Sequence, residues 1–426
     1  MTTYPDSVRY LYSLGNEIRT IKLGLDRVRT LLGALGNPHQ SFRSVHLAGT
    51  NGKGSTAAMI SSALQQAGGR TGLYTSPHLI EPTERIQVNG APVRPEQFSG
   101  AFDEVHNVAE RLHHRGELEA HPTYFETVTA MAFLLFRQLG VETAVLETGL
   151  GGRLDATNVV QPELCVITRV DYDHEAWLGS SIEAIAGEKA GILKPGAPAV
   201  FAPQRPEAQR VLEDRARELG IRFTNVSEWR AEELLLECFG SRFLACRRKE
   251  RFPVECPLGG SHQVENALTA VAALRELNLD CSAIQRGVAA ARWPGRLERM
   301  RTRPEIVLDG AHNPNGIRAL ADHIRRLYRG RKVWVIFGSM RDKSLDEMAG
   351  VLAGAADRVI VTRIDSHRAL RAEVLERLFH DAPVQTARDV DQALEMAAHA
   401  APEDAVFITG SLLLVGEARR RLLPGF

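Results

Sequence analysis

The sequence has little cysteine and no long apolar run, and each shortage excludes a class of protein. No C-x-x-C pair occurs among the five cysteines, which are Cys165, Cys238, Cys246, Cys256 and Cys281. An odd number without paired spacing argues against a disulfide framework and a zinc site, and favours reduced thiols in a cytoplasm. Apolar runs such as Met131–Phe136 are far shorter than a membrane span.

An excess of charge of one sign is also missing. Lys+Arg and Asp+Glu both number 52, so the formal net charge is zero. This balance gives no support for nucleic acid or an anionic membrane surface as a partner, and any anion binding must be local. The opening segment, MTTYPDSVRYLYSLG, lacks the basic stretch and apolar stretch of a secretory signal. We therefore expect a cytoplasmic protein with no nucleic-acid and no membrane partner.

Apolar runs alternate with helix-like segments along the chain, which predicts an α/β fold. Runs of strand length that are typical of buried parallel strands lie at Val45–Ala48, Gly72–Thr75, Thr143–Glu147, Leu164–Thr168, Pro198–Ala202, Ile306–Asp309, Val333–Phe337, Arg358–Thr362 and Ala405–Thr409. The helix-like segments between them favour mostly parallel sheets covered on both faces. The dipeptide Asn89-Gly90, between short alternating segments, predicts a β-hairpin.

The length and the punctuation of the chain predict two domains. A chain of 426 residues is too long for one ordinary domain, and 44% hydrophobic residues are enough for real cores. The segment WPGR, Trp293–Arg296, reads as a linker because proline and glycine break regular structure. We predict domains at residues 1–294 and 295–426. Residues 205–256 are charged and irregular, which predicts a helix and a small antiparallel insertion in the first domain.

The most informative segment is HLAGTNGKGS, His46–Ser55, where a predicted strand meets a glycine-rich turn and then a helix. Glycines let backbone N–H groups approach oxyanions, and a helix N-terminus adds partial positive charge. Lys53 would place a cation at the β- and γ-phosphates, and Ser55 a hydroxyl at Mg²⁺. The spacing is unusual, because only Thr50 and Asn51 separate the first two glycines. A tight turn without a ligand is the alternative. We favour ATP binding by Gly49, Thr50, Asn51, Gly52, Lys53, Gly54 and Ser55.

Further chemistry-bearing residues follow other predicted strands, where ligands of parallel sheets bind. Glu147 ends a strand, and its carboxylate suits Mg²⁺, although a solvated acid is the alternative. His174 follows the next strand, but a lone histidine is often a packing residue and imidazole is an uncommon Mg²⁺ ligand. Lys189 is an exposed or phosphate-contacting lysine, unless CO₂ converts it to a carbamate, because an ammonium group has no acceptor for a metal.

Weaker signals lie at one helix start and in the second domain. Thr123 and Glu126 match a capping box, so a structural role explains them, although an aromatic residue there could stack on a flat heterocycle. Asn266 could read the edge of adenine with its amide. Arg296 and Asp309 could close over ATP from the second domain.

Nine short motifs follow one another along the chain. They are GTNGKGS, TSPHL (Thr75–Leu79), TYFE, LETGLGGRLDATN (Leu146–Asn158), DHEAWLG (Asp173–Gly179), EKAGILKPG, GRLE (Gly295–Glu298), DGAHNP (Asp309–Pro314) and FITGS (Phe407–Ser411). Together they closely resemble the folylpolyglutamate synthase/dihydrofolate synthase family of the Mur ligase superfamily, and most of all its bacterial bifunctional members. The resemblance covers nearly the whole chain and is weakest at residues 205–256 and 363–403.

The resemblance implies a fold and an activity. The fold would be an N-terminal P-loop ATPase domain, with a mostly parallel sheet and a small antiparallel insertion, followed by a C-terminal Rossmann-like α/β domain. The activity would be ATP-dependent ligation of L-glutamate to dihydropteroate and to tetrahydrofolate through an acyl phosphate. The substrates would be small molecules bound by a monomer.

The resemblance also implies a role for each matching residue. Catalysis is expected from Lys53, Glu147, His174 and Lys189. One Mg²⁺ would be held by Ser55 and Glu147, and a second by Glu147, His174 and carbamylated Lys189, with a monovalent cation such as K⁺ as a further cofactor. ATP contacts beyond the loop would be Asn266, Arg296 and Asp309. Pterin or folate contacts would be Ser76, Thr123, Phe125 and Asp155. Glutamate contacts would be His312 and Ser411.

Two other functions are compatible with parts of the sequence. A Mur-type ligase of cell-wall precursors would use the same chemistry on another acid. It would lack TYFE and GGRLDATN and would carry an extra N-terminal domain, for which residues 1–43 are too few. A nucleotide-driven switch or transport ATPase would need a partner surface and no acceptor pocket. Its ATP turnover would ignore both pteroate and glutamate.

Overall fold

The chain forms two compact units in a computed structural model that describes residues 2–14, 24–341, 344–366, 369–380 and 382–423. The first unit comprises Met1–Glu232, Leu244–Val254 and Glu265–Ala291. The second comprises Glu233–Phe243, Glu255–Val264 and Arg292–Phe426. Among the helices within these described residues, none is long and apolar enough to cross a bilayer.

An eight-stranded sheet lies at the centre of the first unit. Its strands are β1 (Arg43–Ala48), β2 (Thr71–Tyr74), β3 (Ile86–Val88), β4 (Ala91–Pro92), β5 (Thr143–Glu147), β6 (Leu164–Ile167), β7 (Ala199–Phe201) and β8 (Phe223–Asn225), in the order β4-β3-β2-β5-β1-β6-β7-β8. The pairs from β2 to β8 are parallel, and only β2–β3 and β3–β4 are antiparallel. The predicted hairpin is present, because Asn89 and Gly90 take φ values of 51° and 75° between β3 and β4.

The first unit contains the helices α1 (Tyr4–Ser13), α2 (Asp26–Ala34), α3 (Lys53–Gln66), α4 (Pro95–His114), α5 (Tyr124–Gln138), α6 (Glu175–Leu178), α7 (Ile182–Ala190), α8 (Pro206–Glu218) and α10 (Cys281–Ala290). Helix α9 (Ser261–Glu276) starts in a segment of the second unit, and its residues from Glu265 onward belong to the first. Strands β1 and β5 are buried almost throughout, as expected for parallel strands with helices on both faces. On one face, Phe133 and Phe136 of α5 belong to the same buried cluster as Leu146 of β5.

The sequence pattern predicts a helix that begins at Thr56, after the glycine-rich turn, whereas α3 begins three residues earlier, at Lys53. Gly52, with φ of 89°, precedes it and turns the chain into the helix. Helix α10 packs closely on α3, since a Cβ placed on Gly287 would overlap the backbone of Ala63. Only glycine allows the two helix backbones to approach this closely.

A three-stranded sheet forms the predicted small insertion. Its strands are β9 (Arg230–Glu237), β10 (Gly240–Arg247) and β11 (Glu250–Cys256), in the order β11-β10-β9. Two-residue turns connect these neighbours, as is typical of antiparallel strands. The predicted helix before the insertion is α8.

A six-stranded sheet lies at the centre of the second unit. Its strands are β12 (Glu298–Thr302), β13 (Glu305–Leu308), β14 (Val333–Phe337), β15 (Arg358–Thr362), β16 (Val384–Ala387) and β17 (Ala405–Thr409), in the order β12-β13-β17-β14-β15-β16. Its helices are α11 (Pro314–Leu327), α12 (Leu345–Ala353), α13 (Ala372–Glu376), α14 (Val390–Ala397) and α15 (Leu412–Leu422). All pairs are parallel except β12–β13. The predicted α/β fold with two mostly parallel sheets is therefore confirmed.

The second unit differs from the prediction at its edges. The sequence pattern predicts a helix over residues 369–379, but only the short α13 forms there, with Ala372 and Leu375 buried. Strands β12 and β16 lie at the two edges of the sheet, where β12 is mostly exposed and β16 mostly half-buried, so neither has the apolar run on which the prediction depended.

Candidate active site

The glycine-rich loop follows β1 and is held by the segment that follows the neighbouring strand β6. Gly49 has φ of 154°, and a Cβ at this position would overlap the side chain of Thr168, the first residue after β6. The N–H of Thr50 donates to the Arg169 carbonyl at 2.8 Å, and the Thr50 hydroxyl donates to the Asp171 carbonyl at 2.9 Å. The loop conformation is thus fixed by the chain that follows β6.

The ammonium groups of two lysines meet at a carbonyl oxygen of this loop. The ammonium group of Lys53 donates to the carbonyl oxygens of Gly49 at 3.0 Å and Thr50 at 3.3 Å. Lys189, at the end of α7, donates to the same Gly49 oxygen at 2.9 Å. Lys53 also lies 4.0 Å from the Glu147 carboxylate. Three of the four residues expected to be catalytic therefore lie around one loop.

Lys189 is the more deeply buried of the two lysines, with only 3% of its surface exposed. Burial, and then the positive charge of Lys53, lower the pKa of Lys189 from 10.5 to about 7, while Asp173 and Asp155 oppose the shift. A lysine with this pKa is partly neutral at physiological pH. The neutral amine is the form that reacts with CO₂, so the chemistry of this residue is compatible with a carbamate.

Glu147 ends β5 inside the site and is buried. Its Oε2 accepts a hydrogen bond from the N–H of Ser76 at 3.3 Å, which joins the end of β5 to the loop after β2. Ser55 is buried in the first turn of α3. These two residues supply the oxygen donors that Mg²⁺ prefers.

His174 lies at the start of the short helix α6, with φ of 53°. Its Nε2 is 3.9 Å from the Asp173 carboxylate, and its N–H donates to Asp173 Oδ1 at 2.9 Å. Within the described ranges, no three His, Cys, Asp or Glu side chains are grouped so that they could hold a metal ion. A second metal position would therefore need oxygens from elsewhere, and a carbamate on Lys189 would supply them.

The segment TYFE (Thr123–Glu126) forms the start of α5, next to the glycine-rich loop that follows β5. Thr123 and Glu126 form the predicted capping box, with Glu126 N to Thr123 Oγ1 at 3.2 Å and Thr123 N to Glu126 Oε2 at 2.8 Å. The ring of Phe125 lies against Gly149, where a Cβ would be 2.6 Å from the ring. The capping box therefore places a threonine and an aromatic ring beside the loop that follows β5.

Asp155 is buried, and both of its carboxylate oxygens accept hydrogen bonds from its own loop. Oδ2 accepts from the N–H groups of Gly149 at 2.8 Å and Leu150 at 2.9 Å. Oδ1 accepts from the N–H and the hydroxyl of Thr157 at 3.0 and 2.5 Å. Burial raises the pKa of Asp155, and these hydrogen bonds oppose the rise. Its first role is to hold the GLGGRLDATN loop, and a pterin contact would come in addition.

A histidine that the sequence did not indicate as a site residue contacts the GLGGRLDATN loop from the neighbouring strand β1. His46 of β1 lies 2.8 Å from the Thr157 hydroxyl through its Nε2. Because that hydroxyl donates to Asp155, its oxygen is left to accept from the histidine. Burial lowers the pKa of His46 to about 3, so the ring is neutral. Only the position of His46 at the centre of a buried strand could have indicated this role.

Asn266, on α9, lies directly against the glycine-rich loop. A Cβ added to Gly52 would overlap the Asn266 Oδ1 atom. The side chain of Asn266 is buried. The structure thus places Asn266, the predicted adenine contact, beside the glycine that immediately precedes α3.

The second unit brings Arg296 and Asp309 together. Asp309 follows β13 and accepts from the N–H groups of Leu297 and Ala311, both at 3.0 Å. Burial raises the pKa of Asp309, and the Arg296 charge opposes the rise. A Cβ on Gly310 would overlap the Arg296 guanidinium, so glycine is required for this arrangement.

His312 and Ser411 follow neighbouring strands of the second unit. The Nδ1 of His312 lies 2.9 Å from the Gly310 carbonyl, so Nδ1 carries the proton. Ser411 caps α15 by accepting from Leu413 N at 3.2 Å. The two loops are joined because Gly410 N donates to the Ala311 carbonyl at 3.0 Å.

Comparison with known proteins gives matches over both units. The Mur ligase middle domain matches residues 47–274, and the Mur ligase glutamate ligase domain matches residues 295–412. The chain is 36% identical to a dihydrofolate synthase/folylpolyglutamate synthase of Bacillus subtilis (strain 168), over 99% of each protein. It is 34% identical to the protein of the same name from Escherichia coli (strain K12), over 92% of this chain and 90% of the relative.

Solved structures agree with these relatives. A folylpolyglutamate synthase of Mycobacterium tuberculosis complexed with ADP superposes with a TM-score of 0.91, at 33% identity over 98% of both chains. Escherichia coli FolC in complex with DHPP and ADP gives a TM-score of 0.88, at 31% identity over 99% of this chain and 98% of that chain. The motifs, the fold and these matches agree, and the chain belongs to the folylpolyglutamate synthase/dihydrofolate synthase family of Mur ligases.

Proposed function

We propose that the protein is an ATP-dependent ligase that joins L-glutamate to dihydropteroate and to tetrahydrofolate. The observation that carries this proposal is the meeting of Lys53, Lys189 and Glu147 at the glycine-rich loop. The names of the relatives support it, since they are described as dihydrofolate synthase/folylpolyglutamate synthase. The substrates are small molecules, and one relative was solved with DHPP and ADP.

The reaction needs two steps because a carboxylate is a poor electrophile. In the first, a carboxylate oxygen of the pterin acid attacks the γ-phosphorus of ATP, the bond to the β,γ-bridging oxygen breaks, and ADP leaves. In the second, the amine of glutamate attacks the acyl carbon, the tetrahedral intermediate collapses, and phosphate leaves with the electron pair. The amine loses a proton to solvent or to a basic group. Holding three substrates in line offsets roughly 7–11 kcal/mol of entropic barrier.

Residues of the first unit suit the first step. The loop N–H groups and Lys53 lie where the phosphates of ATP would bind, and positive charge there stabilises the transferring phosphoryl group. To reach the γ-phosphate, Lys53 exchanges its hydrogen bonds to Gly49 and Thr50 for phosphate oxygens. Lys189 remains at the Gly49 carbonyl and keeps the loop in place.

Two Mg²⁺ ions fit the proposed chemistry. Ser55 and Glu147 would hold the first, and Glu147, His174 and carbamylated Lys189 the second, with a monovalent cation such as K⁺ as a further cofactor. When bound, these ions neutralise charge on ATP and on the acyl phosphate. The donor set supports this assignment, since Ser55 and Glu147 supply oxygens and Lys189 has the lowered pKa that carbamate formation requires.

The acid substrate would bind beside the start of α5. Phe125 offers a ring face to the flat pterin, and Thr123 and Ser76 offer polar atoms at neighbouring loops. Asp155 would accept from the donor-rich pterin edge in addition to its own loop.

The second unit would contribute the remaining contacts. We propose that residues 1–294 form the ATP-binding domain and residues 295–426 the glutamate-ligase domain. Arg296 and Asp309 would contact ATP, as would Asn266 of the first unit, and His312 and Ser411 would contact glutamate. We further propose that the protein acts as a monomer in the cytoplasm.

The decisive experiment uses purified protein with ATP, Mg²⁺, radiolabelled glutamate and either dihydropteroate or tetrahydrofolate. We expect a labelled amide product and one ADP per amide bond with each acid. ADP release that ignores both acid and glutamate would indicate a simple ATPase. Ligation to a cell-wall precursor, with no product from either pterin acid, would instead indicate a Mur-type ligase of the cell wall.

A further inference from the structure

An arginine outside every motif considered above contacts the start of α5. Arg27 of α2 donates from Nε to Glu126 Oε2 at 3.2 Å and from a terminal nitrogen to Oε1 at 3.0 Å. The two side chains are buried for the most part, with 20% and 6% of their surfaces exposed. Two parallel hydrogen bonds between a planar guanidinium and a carboxylate fix both the distance and the orientation of the pair.

The same carboxylate also fixes the backbone of the TYFE segment. Glu126 Oε2 accepts the N–H of Thr123 at 2.8 Å, so one oxygen serves both α2 and the first turn of α5. Phe125, between these two residues in sequence, lies against Gly149. A shift of the Glu126 carboxylate would therefore move Thr123 and the Phe125 ring together.

The charge of Glu126 makes this arrangement dependent on Arg27. A capping box on a helix surface needs no countercharge, because water solvates its carboxylate. This carboxylate is almost fully buried, and a buried charge without its partner is strongly unfavourable. Without Arg27, the carboxylate gains by turning towards water and releasing the N–H of Thr123.

We propose that the Arg27–Glu126 ion pair positions Thr123 and Phe125 for the acid substrate, and so determines how well a pterin acid binds. The proposal rests on the function proposed above. Arg27 acts through Glu126 and is a positioning residue, not a catalytic one. ATP would bind at the loop after β1, where Lys53 and Lys189 hydrogen-bond to Gly49. The pair should therefore affect the two substrates unequally.

The test compares KM for dihydropteroate with KM for ATP in a set of full-length variants. Arg27→Met removes the charge and both hydrogen bonds but keeps a long side chain. We expect KM for dihydropteroate to rise about tenfold, with KM for ATP within about twofold of the wild-type value. Arg27→Lys restores the charge without the planar two-point contact, so it should recover only part of the loss.

The matched control is Arg29→Met, which lies on the same helix, α2, shortly after Arg27. The Arg29 side chain is 59% exposed, and its partner, Asp26, lies on the helix surface at 3.7 Å. Pairs of this kind contribute little, so we expect both KM values to stay unchanged. The double variant Arg27→Met with Glu126→Gln should lose less than the two single changes added together, because it buries no unpaired charge.

Three results would overturn the proposal. One is an Arg27→Met variant whose KM for dihydropteroate equals that of Arg29→Met. Another is an equal rise in KM for ATP and dihydropteroate, which would indicate general loosening of the fold. The third is strict additivity of the Arg27 and Glu126 changes; if Arg27→Met does not fold, Arg27→Lys and Glu126→Gln provide the same comparison. Absence of ligation by the wild-type protein would instead show that the proposed function is wrong.

Discussion

Lys53 and Lys189 donate to one and the same acceptor, the carbonyl oxygen of Gly49, at 3.0 and 2.9 Å. Burial, and then repulsion by the charge of Lys53, lower the pKa of the more buried group, Lys189, to about 7. The glycine loop thus links a lysine suited to phosphate with a lysine suited to reaction with CO₂.

Lys189 should make the stability of the protein depend on alkaline pH. Its pKa is about 7 in the folded protein and 10.5 as the ordinary value. Between these values the unfolded chain binds a proton that the folded chain does not, so stability should rise with pH. The rise from this group is about 1.4 kcal/mol per pH unit between pH 7.5 and 9.5. Urea unfolding in CO₂-free buffer with a chelator would measure it.

Lys189→Met provides the comparison for this measurement. The variant lacks the titrating group of Lys189, so the unfolding free energy of the wild type should rise with pH relative to that of the variant. A difference that stays constant over this range would mean that Lys189 keeps its ordinary pKa in the folded protein.

Lys53→Ala should abolish turnover without unfolding the protein. The side chain supplies positive charge to the transferring phosphoryl group in the proposed mechanism, and its loss should lower kcat roughly a thousandfold. Lys249→Ala is the control, since Lys249 is exposed in the turn between β10 and β11. Steady-state ADP release and urea unfolding would be measured for both. Normal kcat in Lys53→Ala would contradict the phosphate assignment.

Gly52→Ala should weaken ATP binding for a steric reason that a second glycine can separate from backbone strain. Gly52 and Gly68 have similar φ values, 89° and 93°, so alanine is equally strained at either position. A Cβ at Gly52 overlaps Asn266, whereas a Cβ at Gly68 meets nothing within 4 Å. We expect KM for ATP to rise about tenfold or more in Gly52→Ala only. Equal effects of the two substitutions would show that the Asn266 contact is unimportant.

Thr157→Val should disturb the pterin end of the site. The substitution removes the hydroxyl that donates to Asp155 and accepts from His46, so two buried polar groups lose a partner. Each lost partner costs about 1–3 kcal/mol of stability, and KM for dihydropteroate should rise more than KM for ATP. Thr157→Ser keeps the hydroxyl and should restore both properties. Failure of serine to restore them would mean that the methyl group, not the hydroxyl, supports the loop.

The sequence was sufficient for the parts of the site that depend on local patterns. Glycine spacing located the loop at Gly49–Ser55, and continuous apolar runs located β5 and β14 at the residues where the structure has them. The capping box at Thr123 was also legible, because its two members are three residues apart. Local chemistry decides these features, and local sequence reports it.

Features that depend on packing between distant segments could not be read in this way. The contact of Gly52 with Asn266 joins residues that are far apart in the chain, and no motif connects Arg27 to Glu126. The sequence places His46 in an apolar strand, but it does not show that Thr157 is its partner. The edge strand β12 was missed because an exposed edge needs no apolar run.

The close approach of α10 to α3, at Gly287 and Ala63, has a consequence for cutting the protein into pieces. The middle-domain match ends at residue 274, before α10 begins at Cys281. A fragment that ends there would lack α10, so α3 would lose the helix that packs on it and would expose apolar surface to water. Any autonomous ATP-binding piece of this enzyme therefore has to retain the chain as far as the end of α10.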